Sequence, residues 1–152
     1  MQSDCPKCKG IKELKKKIQD EKDVEIRERN LLLLAGKHVG RGDWESAQRI
    51  YKELEANSKD PAIIEAVRRN LEVVNLNIEV LAEKDPFQKE ILELKLANLH
   101  REFGHYQASK RICRRLSKEA QNEQIRSQAK QLLVAKPKPT RSLLPLKLKH
   151  FE

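Results

Sequence analysis

Near the amino end, the run Cys5-Pro6-Lys7-Cys8-Lys9-Gly10 carries the residue types of a metal site. A two-residue gap lets two thiolates reach one ion, and the following glycine permits a tight turn. This is half of a four-ligand zinc site. The third cysteine, Cys113, stands in a helical pattern beside Ile112, and no second Cys-x-x-Cys or His pair follows. Zinc on Cys5 and Cys8 would therefore be shared with a partner chain or a second copy of this chain, a homodimer, unless histidines fold back onto it. The same spacing occurs in dithiol redox pairs, but those open a helix after a strand, and no stretch here alternates as a strand does. A haem attachment would need His where Lys9 stands. Three cysteines leave one odd thiol, which argues against a secreted disulfide scaffold and for a reducing, cytoplasmic setting.

The second chemistry is cationic. Lys110, Arg111, Arg114, Arg115 and Lys118 fall within about 140° of arc at 100° per residue. Ile112 and Leu116 point elsewhere. Arginine forks match carboxylates and phosphates bidentately, so this face suits an acidic protein surface or an RNA backbone. No aromatic is interleaved for base stacking, which favours protein over single strands. Farther on, Ala135 to Arg141 contains two prolines and no apolar period, as an extended linker would. It leads to Leu143, Leu144, Leu146 and Phe151 among basic residues, a segment unable to build a core but able to dock on a partner. Phosphate-loop, dinucleotide and His-Glu-x-x-His patterns are missing. A thiolate pair of Cys113 with His100 or His105 is conceivable, yet a helical cysteine at a repeated apolar position is expected to serve packing.

The scaffold that carries these groups reads as helical. In 152 residues, apolar types are 38%, charged types 36% and aromatics 4%, a mix suited to amphipathic helices rather than strands. Net charge is uneven. Residues 1–24 carry +2, 25–86 carry −2, and 87–152, with 15 basic and 6 acidic groups, carry +9. Such asymmetry steers encounter with acidic partners. No apolar run reaches a membrane span's length, and the opening Met-Gln-Ser-Asp-Cys is unlike a signal peptide.

A shift of 62 residues brings the chain into register with itself. Leu34-Ala35 falls on Leu96-Ala97, His38 on His100, Gly42 on Gly104, Trp44 on Tyr106, Arg49-Ile50 on Arg111-Ile112, Leu54 on Leu116, Ile63 on Ile125 and Leu71 on Leu133. Each copy predicts three helices. The first lies within a long amphipathic stretch from about Lys9 to Val39, and the second spans about Trp44 to Ala56. A third, beginning at Pro61, carries one stripe through Ile63, Val67, Leu71, Val74, Ile78 and Leu81.

The run Leu34-Ala35, His38, Gly42-Asp43-Trp44-Glu45-Ser46-Ala47, Tyr51 and Leu54 resembles a tetratricopeptide repeat, and Leu96-Ala97, His100, Gly104-His105-Tyr106, Ser109, Cys113 and Leu116 resemble a looser copy. The resemblance covers about 30 residues in each half and implies a helical-repeat fold with a protein-binding role. It also implies a groove lined by first-helix residues. There Asn98 and Arg101 have chemistry suited to a partner, while Leu32, Gly36, Val39 and Leu94 do not, so an apolar groove is expected over a carboxylate clamp. His38 and His100 are expected to be satisfied interior residues rather than a metal pair.

Together these features predict an all-α helical-repeat array of about six to seven antiparallel helices. Its expected parts are a Cys-x-x-Cys segment at 1–9, a repeat domain at 10–135 with units of about 24–85 and 86–135, and a basic docking tail at 136–152. The expected function is that of a non-enzymatic adaptor or structural subunit of a complex. It would bind an acidic surface through Lys110, Arg111, Arg114, Arg115, Lys118, Asn98, Arg101 and the tail; the competing expectation is an RNA-associated protein.

Overall fold

The computed structural model describes residues 6–136, and all of its regular elements are α-helices. They are α1 (Pro6–Asp20), α2 (Val24–Gly40), α3 (Trp44–Asn57), α4 (Pro61–Ala82), α5 (Pro86–Glu102), α6 (Tyr106–Glu119) and α7 (Glu123–Val134). An all-α array of seven helices is thus formed. The basic Pro-containing tail and Cys5 lie outside the described residues.

The long stretch from Lys9 to Val39 is broken in two. Asp23 stops it because its carboxylate accepts the Glu25 and Ile26 amide N–H groups, at 3.0 and 3.4 Å, and so begins a new helix. The Asp23 N–H in turn donates to Glu21 Oε1 at 3.1 Å. The same device recurs 62 residues later: Asp85 N–H donates to Glu83 Oε1 at 3.1 Å, and Asp85 Oδ1 accepts from Phe87 N–H at 2.9 Å. Glu21-Lys22-Asp23 and Glu83-Lys84-Asp85 are one triplet used twice.

The helices form two compact units, divided within α4 between Val74 and Asn75. In the first, α1 packs on α2 and α2 on α3. Ile11, Leu14 and Leu34 pack together, and Ala35, Ala47, Tyr51, Leu54, Ile63 and Val67 are also buried. In the second, α5, α6 and α7 pack on one another around Leu94, Ala97, Cys113, Leu116, Ala120, Ile125 and Ala129. Burying each of the large aliphatic side chains is favourable by about 1.5–3 kcal/mol. Ala35, Ala47, Ala97 and Ala129 have no exposed surface, because small side chains let helix backbones approach closely.

In the 62-residue register, residues 61–72 of α4 correspond to α7, and residues 68–82 correspond to α1. One helix therefore covers two positions of the register. This explains why its apolar stripe does not run straight. Ile63, Val67, Leu71 and Val74 are buried, but burial then passes to Val73, with Leu76 and Val80 half-buried, while Leu81 is 67% exposed. Val73, Leu76 and Val80 match Ile11, Leu14 and Ile18 of α1.

Candidate functional site

The turns that join the first two helices of each unit are built alike. Gly42 and Gly104 adopt φ of 74° and 81°, a left-handed conformation that side chains with a Cβ rarely take. Each turn is closed by a hydrogen bond donated back to a histidine carbonyl: Asp43 N–H to His38 O at 2.9 Å, and His105 N–H to His100 O at 2.7 Å. The side chains at the two ends of each bond also meet. His38 Nδ1 lies 3.3 Å from Asp43 Oδ2, and His100 Nδ1 lies 3.3 Å from His105 Nδ1. Asp43 caps α3 by accepting the Ser46 N–H at 3.3 Å, whereas His105 makes no side-chain capping bond to α6.

Burial lowers the pKa of both His38 and His100, since it disfavours the charged ring. For His38 the nearby Asp43 carboxylate works against that shift, while Lys15 and Arg41 reinforce it. His100 has no such carboxylate, and His105 adds a like charge, so it is pushed down to about 4. Its ring is neutral at pH 7. Cys113 is 1% exposed and burial pushes its thiol up, which leaves it an unactivated core residue.

On α6, Ser109, Cys113 and Leu116 turn inward, while Lys110, Arg111, Arg114 and Lys118 are exposed. Among the described residues, none of those four has an acidic partner within ion-pair distance. Arg115 differs. Its guanidinium pairs with the Glu93 carboxylate of α5, which is 8% exposed, so Arg115 neutralises a buried acid. Asn98 and Arg101 are likewise engaged within the fold: Asn98 Nδ2 donates to Leu94 O at 3.2 Å, and Arg101 donates to Lys136 O. The structure thus brings together four of the five α6 cations as a free surface. Cys5, Leu143, Leu144, Leu146 and Phe151 lie outside the described residues; Cys8 falls on α1.

A second basic feature lies in the first unit, where Ile11, Lys37, Gly40 and Arg41 line a cavity of about 220 Å³. Sequence reading did not single it out, because its cations come from the end of α2 and its floor from α1.

Sequence reading also missed a repeated acid. Glu28 is buried and its Oε2 accepts a 2.8 Å hydrogen bond from Ser58 Oγ, at the C-cap of α3. Its counterpart Glu90 accepts from Gln121 N–H at 2.8 Å through Oε1, but Glu90 Oε2 is buried without a partner. The reason is one hydroxyl: Ala120 occupies the place of Ser58. The signal was present, since Glu28 and Glu90 are identical at the 62-residue offset.

Comparison with protein-family models, curated proteins and solved structures finds no match. Among the described residues no group of three or more His, Cys, Asp or Glu could hold a metal, and no helix is long and apolar enough to cross a membrane.

Proposed function

We propose that this protein is a non-enzymatic, tetratricopeptide-like interaction module, an adaptor or structural subunit that binds an acidic protein surface through α6 and the segment 136–152. The observation that carries this reading is the unpaired row Lys110, Arg111, Arg114 and Lys118. By contrast Arg29, Arg68, Arg69 and, on α6 itself, Arg115 each have a carboxylate partner. Lys110, Arg114 and Lys118 recur every four residues, so they stand about 6 Å apart along one line. Carboxylates spaced one helical turn apart on a partner would meet them in register. Leu143, Leu144, Leu146 and Phe151 supply the apolar contacts that charge alone does not, and zinc on Cys5 and Cys8 would tie the amino end to another chain.

The test combines two variants with capture from the native cell. Lys110→Glu, Arg114→Glu and Lys118→Glu together are expected to weaken partner binding at least about tenfold while shifting stability by under about 0.5 kcal/mol. Deletion of 136–152 is expected to lose partners as well. Retention of every protein partner by both variants sinks the reading. If proteins are not retained but a short RNA is, with affinity falling steeply in salt, the chain is an RNA-associated protein instead.

A further inference from the structure

The two turns share a backbone but present different donor atoms. In the first, a histidine faces a carboxylate that also caps a helix; in the second, two histidines face each other through the same ring atom. We infer that His100 and His105 form a two-histidine half-site for a divalent transition ion of the zinc class, bound through both Nδ1 atoms.

The geometry is the main argument. Two nitrogens each about 2.05 Å from one ion, at a tetrahedral angle, stand roughly 3.3 Å apart. The His100–His105 separation is 3.3 Å. The same 3.3 Å is within reach of an N–H···N hydrogen bond, so in the metal-free chain one ring donates to the other. The pair is also fixed in advance. His105 N–H to His100 O at 2.7 Å and the left-handed Gly104 hold the two backbones, so only the ring torsions remain to be ordered on binding. When the ion enters, the ring that carries its proton on Nδ1 gives it up there and carries it on Nε2 instead.

Two ligands leave the coordination open. Among the described residues no third His, Cys, Asp or Glu completes the set, so water or a donor from another chain takes the remaining positions. An incomplete site of this kind suits an interface ion, because the partner's ligand converts weak binding into tight binding. The two histidines are separate from the α6 cations and from Cys5 and Cys8.

Because Cys5 and Cys8 would also take zinc, the experiment uses the full-length chain with Cys5→Ser and Cys8→Ser. Zinc chloride is titrated by calorimetry and followed through the imidazole nitrogen NMR signals. One ion per chain is expected, with a Kd on the order of 10 μM, and the His100 and His105 Nδ1 signals should move together. His105→Ser removes one ligand while giving α6 a good N-cap, so the fold should be kept or improved. That variant should bind zinc at least about tenfold more weakly at an unchanged or higher melting temperature. Absence of saturable binding, unaltered binding in His105→Ser, or signals moving only at His38 or His150 would each overturn the assignment.

Discussion

The two units share the aspartate caps of α2 and α5, the glycine turns and the apolar contacts, and differ in their other polar groups. Asp23 and Asp85 cap equivalent helices, Gly42 and Gly104 turn alike, and Leu54 and Leu116 fill equivalent places at 3% and 1% exposure. By contrast Asp43 has become His105, Ser58 has become Ala120, and Glu53 on α3 has become Arg115 on α6. The difference teaches where function resides. Positions that hold the helices together match between the units, whereas the second unit has a histidine where the first has a capping carboxylate and a cationic helix where the first has a mixed-charge one. Part of that exchange left a cost within the fold, an orphaned oxygen on Glu90.

If the two interiors are equivalent, truncating either should be equally damaging. Leu54→Ala and Leu116→Ala are each expected to destabilise their unit by about 2–5 kcal/mol, read from urea unfolding. A large inequality between them would show that the duplication is one of sequence only.

Acid should separate the units. His100 has a folded-state pKa of about 4, below its unfolded value, so the unfolded chain binds more protons between about pH 6.5 and 4. The stability this neutral ring contributes is complete above that range and is lost as pH falls through it. For a ring only partly buried, solvent screening reduces the effect to roughly 1–2 kcal/mol. Thermal melts in metal-free buffer from pH 7 to 4 should show this loss, and His105→Ser should diminish it. His38 is expected to contribute less, because the Asp43 carboxylate welcomes its proton. A loss that persists undiminished in His105→Ser would refute the contrast.

The smallest effect is the most specific. Ser58 and Ala120 share a backbone conformation, with φ of −70° and −60° and ψ of 141° and 134°. Ser58→Ala should therefore destabilise by about 1–2 kcal/mol through the buried Glu28, and Ala120→Ser should stabilise by about 1 kcal/mol by giving Glu90 Oε2 a donor. Unfolding curves of the two variants that shift in the same direction would break the correspondence.

Much of the scaffold could be read from residue order. Periodic apolar residues predict α3 and α4, and the 62-residue register extends that plan to the second unit and pairs the turns. The break at Glu21-Lys22-Asp23 was not foreseen, because charged residues continue an amphipathic pattern until a side chain competes for the amide groups. Only a cap reveals that competition. The α6 cations were found together since they lie on one helix, a property of spacing alone. Which of them are free was not, because the pairing of Arg115 depends on Glu93 in a different helix.

The sequence by itself determined the helical period, the duplicated unit, the glycines at its turns and the positive balance of residues 87–152, since each follows from the order of side chains along one strand of chain. Tertiary structure decided that α4 is divided between the two units, that Glu90 Oε2 lacks a partner among the described residues, that Arg115 is spoken for, and that two histidine nitrogens come within 3.3 Å. Those facts depend on the distances and burial that arise only when separate segments pack.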